Sequence, residues 1–138
     1  RLITEQQISV ASAKDIFLRI KKLIPVFSPK QFLKISNSNL KKTGLSRPKI
    51  NYCNILANEI LSGELSFRSL HKLDDDELKK RLCEIKGIGE WTAECYMLAS
   101  LRRKDIWPVK DLGLQAAIKE IKNLDSRPGE EEMLALAI

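Results

Sequence analysis

Apolar residues along this 138-residue chain recur at steps of three and four, the spacing of a helix face rather than of a strand. Ile8, Ala13, Ile16, Phe17, Ile20, Leu23 and Ile24 predict an amphipathic helix over about 8–24, closed by Pro25. Ser28-Pro29 opens a short helix through Ile35, with proline in the first turn, where its missing N–H is not needed. Asn37 to Leu45 predicts another short helical piece, ended by Gly44. Ser46 caps a longer helix that places Ile50, Cys53, Ala57, Ile60 and Leu61 on one face and stops at Gly63. Phe67 to Leu70 forms a single turn. Asp74 is an N-cap, with Glu77 at the third helical position and Leu73 and Leu78 able to staple the helix start.

Further helices follow over about 90–102 and 112–122, the second with Leu114, Ala117, Ile118 and Ile121 in register. Arg127-Pro128-Gly129 breaks the pattern before a last helix from Glu130 to Ile138. No alternating stretch, repeat, low-complexity tract or linker interrupts this order, so the pattern predicts a single all-α domain over 1–138. Both ends read as truncated: Arg1-Leu2-Ile3 enters as though already inside a helix, and Ile138 ends apolar soon after Pro128.

Composition narrows the chemistry. A 43% apolar and 30% charged chain fits a soluble globular protein. It holds no apolar run of about 18 residues to span a membrane and no secretory leader. Cys53, Cys83 and Cys95 are an odd set without CxxC spacing, and His71 is the only histidine. This argues against side-chain zinc and iron–sulfur sites and suits a reducing compartment. The net charge of +6 and pI near 9.3 lean toward a polyanionic partner, a signal that many unrelated basic proteins share.

The most informative string is Leu82-Cys-Glu-Ile-Lys-Gly-Ile-Gly-Glu-Trp-Thr-Ala93. A helix end meets Gly87-Ile88-Gly89, and a new helix begins at once. Two glycines allow positive φ and close approach of another backbone. The amides from Gly87 to Trp91 then lie at a helix N-terminus, where an anion such as a DNA phosphate is favoured. A plain αα turn with a glycine C-cap would use the same triplet, but the apolar and aromatic flanks make the whole string far rarer. Asp111 opens the helix 112–122 and reads, on local grounds, as its N-cap.

Ile85-Lys-Gly-Ile-Gly-Glu-Trp-Thr-Ala-Glu94 resembles the helix–hairpin–helix DNA glycosylase superfamily, and within it the 3-methyladenine DNA glycosylase II branch. Gln6-Gln-Ile-Ser9, Gly44-Leu-Ser46 followed by Lys49, and Asp105-Ile-Trp-Pro-Val-Lys-Asp-Leu-Gly-Leu114 resemble further segments of that family, in its order. The resemblance implies a helix–hairpin–helix over about 75–101 and a catalytic-aspartate loop and helix over about 105–122. It implies a monofunctional glycosylase that flips alkylated purines of the 3-methyladenine type from double-stranded DNA and hydrolyses the N-glycosidic bond, initiating base excision repair. Asp111 would be the catalytic carboxylate, with Asp105 as the fallback. Trp91 would line the base pocket, or else serve as a core tryptophan. It occupies the place where strand-nicking relatives carry a nucleophilic lysine, and neither Lys86 nor Lys110 stands there, so no lyase activity is expected.

The resemblance also implies that Gln7 plugs the gap left by the flipped base, with Gln6 and Ser9 supporting it, although both glutamines could simply be solvated. Cys95 and Tyr96 stand where some relatives complete the pocket wall with an aromatic residue. Lys86, Gly87, Gly89 and Glu90, with Arg47 and Lys49 from the basic cluster that includes Lys41 and Lys42, would meet the DNA backbone. The carbonyls of Cys83, Ile85 and Ile88 would hold a bridging Na⁺ or K⁺, and no cofactor is expected for the chemistry itself. The expected setting is a monomer kept with DNA, in a bacterial cytoplasm or a nucleus. Two other readings stay open: a non-catalytic helix–hairpin–helix DNA-binding module, and a glycosylase for oxidised or mismatched bases.

Overall fold

The computed structural model describes residues 1–137, and among these every regular element is a helix. The ten helices are α1 (Leu2–Glu5), α2 (Val10–Lys22), α3 (Pro29–Phe32), α4 (Asn37–Lys42), α5 (Arg47–Ser62), α6 (Phe67–Leu70), α7 (Asp75–Cys83), α8 (Glu90–Ala99), α9 (Leu112–Lys122) and α10 (Glu130–Ala135). Local chemistry sets most of their starts. Ser9, Ser28, Ser36, Ser66 and Asp74 each accept a hydrogen bond from a first-turn amide. Ser46 stands at the start of α5 as expected, but its side chain makes no such bond, leaving the start to Pro48 in the first turn. Gly63 closes α5 in the left-handed region at φ 83°. The expected final helix lies over Glu130–Ala135, and Ile138 falls outside the described residues.

Two apolar clusters form the core, and α5 is their shared wall. Ile50 and Ala57 of α5 pack with Ile20, Phe32, Leu40 and Leu45 on one side. Leu56 and Ile60 of the same helix lie against Leu70, Leu78, Leu82, Ile85 and Met97 on the other. Full burial of each such side chain contributes about 1.5–3 kcal/mol. The second cluster takes in the inner faces of α7 and α8 and, through buried Ile85, anchors the turn between them, which leaves Lys86 and Gly89 at the surface. Short α1 packs against α2, α5 and α8 and thereby brings the start of the chain to the hairpin.

The helix α9 forms where the periodicity predicts it, but its apolar stripe is only partly buried. Leu114 and Ile118 are half-buried, while Ile121 at its far end is 72% exposed. Its one buried side chain is Gln115, whose amide donates to the Val109 carbonyl at 2.7 Å and ties the helix to the loop before it. Trp107 donates from its indole to the Met133 carbonyl at 2.7 Å, which pins the same loop to α10.

Candidate functional site

The hairpin turn runs from Glu84 to Gly89. Gly87 takes φ 91°, and a Cβ there would overlap the ring of Tyr52 from α5. Glycine is therefore required twice over at 87, for the backbone angle and for the ring packed on it. Gly89 differs from expectation. It is extended, at φ −92° and ψ 176°, and a Cβ there would meet nothing within 4 Å. The turn needs positive φ only at Gly87, while Gly89 leaves open space in front of the α8 N-terminus.

A cleft of about 1350 Å³ lies before this turn, bounded by the Gln6–Val10 segment, the first turns of α5, the hairpin, and the start of α9. Asp111 and Trp91 meet in it. The indole Nε1–H of Trp91 donates to Asp111 Oδ2 at 2.7 Å, and the Leu114 amide donates to Asp111 Oδ1 at 2.7 Å. The carboxylate is thus both the N-cap of α9 and the partner of the hairpin tryptophan. The Asp111 amide bonds back to the Pro108 carbonyl at 2.9 Å, and buried Pro108 fixes that turn. Asp105, the fallback, is exposed and lies outside the cleft.

The carbonyls at the turn are unequally used. Ile85 O accepts from the Ile88 amide at 2.9 Å, whereas those of Cys83 and Ile88 accept no hydrogen bond among the described residues. Two free carbonyls and a third with a spare lone pair are a donor set of the all-oxygen kind that suits a hard cation.

The Gln6–Ser9 segment divides its labour. Gln6 Nε2 donates to the Gly87 carbonyl at 2.8 Å and to Thr92 Oγ1 at 2.9 Å, so this side chain braces the hairpin. Ser9 caps α2 and donates to Ser12 Oγ at 2.9 Å. Gln7 is exposed and sits at φ 55°, a left-handed conformation that costs a non-glycine residue about 1–2 kcal/mol.

The side chains expected at the DNA backbone have different surroundings. Lys49 is engaged within its own chain, where its ammonium donates to Thr4 O at 3.0 Å and Gln6 O at 2.6 Å. Burial lowers its pKa from the ordinary lysine value. Glu90 pairs with Lys110 at 2.6 Å, and this hydrogen bond holds the Glu90 carboxyl below its usual range. Lys86 is exposed at the cleft. Arg47 instead faces a separate groove of about 630 Å³ with Asn51 and Asn54.

The expected pocket wall also divides. Tyr96 turns away from the cleft, packs its ring 6.1 Å from Phe67 and joins the hairpin core. Five residues of α-helix rotate it about 140° from Trp91. Cys95 lies only about 40° from the Trp91 direction. It is outside the cleft lining, and burial first, then the charge of Asp111, pushes its thiol up to about 11. Sequence reasoning missed Tyr52, Thr92 and the Lys110–Glu90 pair. Tyr52 and Lys49 share a face of α5 at three-residue spacing, but nothing local signals that this face meets the hairpin.

A glycine hairpin and a helix-start aspartate sharing one cleft on an all-α scaffold define the helix–hairpin–helix class of DNA-repair fold. The chain belongs to the HhH-GPD superfamily of base excision DNA repair proteins, whose family model matches residues 1–137. It is 33% identical to the alkylbase DNA glycosidase-like protein mag2 of Schizosaccharomyces pombe, over 96% of this chain and 65% of that protein. It is 31% identical to a DNA-3-methyladenine glycosylase of Bacillus subtilis, over 82% of this chain and 38% of that one. The structure superposes with TM-score 0.91 on a 3-methyladenine DNA glycosylase of Schizosaccharomyces pombe in complex with abasic DNA, at 28% identity, covering 97% of this chain and 67% of the other. The chain thus spans between 38% and 65% of the length of these two curated relatives.

Proposed function

We propose that this chain carries a monofunctional DNA glycosylase that removes alkylated purines from double-stranded DNA by hydrolysis. The observation that carries the reading is the Asp111 carboxylate, anchored through one oxygen to the Leu114 amide of α9 and through the other to the Trp91 indole, in a cleft bounded by the hairpin. Cleavage of an N-glycosidic bond places oxocarbenium-like charge on the sugar. A carboxylate held in a fixed rotamer beside the anomeric carbon stabilises that charge and orients the attacking water. An alkylated purine already carries positive charge, so it leaves without a strong acid to protonate it. The names of the relatives support the alkylated-base class.

The hairpin supplies the grip. Amides at the α8 N-terminus, reachable across the open space at Gly89, receive a phosphate of the lesion strand. The free carbonyls of Cys83 and Ile88, with Ile85, would hold Na⁺ or K⁺, which would add positive charge next to the same phosphate. Gln7, at the cleft rim, fills the space the flipped base vacates. Trp91 offers no amine, so the reaction ends at an abasic site without strand nicking. The partner is double-stranded DNA, and the protein acts as a monomer, intracellularly, wherever that DNA is kept.

The test is Asp111→Asn. Asparagine still caps α9, so thermal stability stays close to wild type. Release of labelled bases from alkylated DNA should fall by about a hundredfold or more. Release at the wild-type rate would remove Asp111 from the chemistry. Duplex binding by both proteins with no base release by either would favour the non-catalytic DNA-binding module.

A further inference from the structure

The peptide between Gln6 and Gln7 is clamped from two directions. Lys49 Nζ holds its oxygen at 2.6 Å and reaches the Thr4 carbonyl at 3.0 Å, closing the C-terminal end of α1. The Gln6 side chain ties the same residue to the turn carbonyl of Gly87 and to Thr92 of α8, 81 and 86 residues further along the chain. The angle φ of Gln7 is defined against that peptide plane, and at 55° it lies where glutamine does not rest unaided. The strained residue is the exposed one, and the two residues that hold it are only partly exposed.

We propose that Lys49 and Gln6 are positioning residues that lock the Gln7 turn to the hairpin, so that the duplex-filling side chain and the phosphate grip move as one body. This rests on the glycosylase reading above, in which Gln7 enters the duplex. Lys49 then acts through Gln7 rather than on DNA. Its two carbonyl partners belong to the segment that carries Gln7, not to the cleft in front of the hairpin.

The experiment compares binding of the full chain to a duplex with a stable abasic-site analogue and to the same duplex intact. Wild type should prefer the abasic duplex. Lys49→Met should reduce that preference about five- to tenfold while changing intact-duplex affinity less than about twofold, and Lys49→Arg should recover part of it. In a Gln7→Ala background, Lys49→Met should have no further effect. Gln6→Leu should give the same pattern, and it carries the test if thermal melts show Lys49→Met to be unfolded.

The proposal is overturned if Lys49→Met weakens both duplexes equally with a shallower salt dependence, the behaviour of an ordinary phosphate contact. It is also overturned if the Lys49 and Gln7 effects add, if the preference is unchanged, or if wild type shows no preference. Base release from alkylated DNA by the wild type is measured in parallel. Absence of release, with preference and coupling intact, would remove the glycosylase reading and leave the lock standing.

Discussion

At Asp111 the two carboxylate oxygens have partners of different origin, one from its own helix and one from an indole 20 residues earlier. That makes Trp91 testable apart from its ring surface. Trp91→Phe keeps an aromatic face toward the cleft but removes the N–H, so the carboxylate is held through Oδ1 alone and Oδ2 loses its partner. Base release at saturating DNA should fall about ten- to a hundredfold, with little change in affinity. A loss confined to affinity would assign Trp91 to stacking alone. The cysteines offer a second check. Burial pushes both the Cys53 and Cys95 thiols up to about 11 from the ordinary value of 9.0. The thiolate is the reactive form. Iodoacetamide should therefore modify both residues about a hundredfold more slowly than a free thiol at pH 8. Their rates should climb only as pH approaches 11. Rapid modification at pH 8 would contradict that burial.

In the hairpin, the two glycines look alike in the string Gly-Ile-Gly yet serve different purposes. Gly87→Ala meets both an unfavourable positive φ and the Tyr52 ring, and should lower stability by about 2 kcal/mol or more. Gly89→Ala meets open space at an ordinary φ, so the melting temperature should stay within a few degrees of wild type. The added methyl faces the approach to the α8 amides, and duplex affinity should drop about tenfold. Equal thermal losses in the two variants, by calorimetry, would refute this division. The glycine pattern was legible in the sequence. Its asymmetry was not, because it depends on a tyrosine 35 positions away that only the packing of α5 brings to the turn.

Across the whole molecule, α5 joins two cores that could otherwise behave as separate lobes. Leu40 and Leu78 are fully buried, one in each cluster. Leu40→Ala and Leu78→Ala should each cost about 2–5 kcal/mol. Both should shift the same single unfolding transition, seen by circular dichroism and by tryptophan fluorescence. Two separated transitions would mean that the hairpin half folds without the half built on α2 to α4. Cooperative unfolding fits the site, which draws Gln6 and Gln7 from the chain start, Lys49 from α5, Trp91 from the hairpin and Asp111 from the loop before α9.

Much of the fold was readable from neighbouring residues. Helix positions follow from three- and four-residue spacing, starts from Ser and Asp caps, the long helix's end from Gly63, and the hairpin from its glycines. Each of these is decided within about four positions, where side-chain and backbone hydrogen bonds compete directly. The family resemblance singled out Asp111, Trp91 and Gln7. Other features required the tertiary structure. Lys49 holds two carbonyls of its own chain, Tyr96 packs against the hairpin core, and Ile121 of the α9 stripe stays exposed. The Gln6 brace spans 81 residues and the Lys49 bond 43. Local pattern fixes which face of a helix is polar, but only packing decides what that face meets.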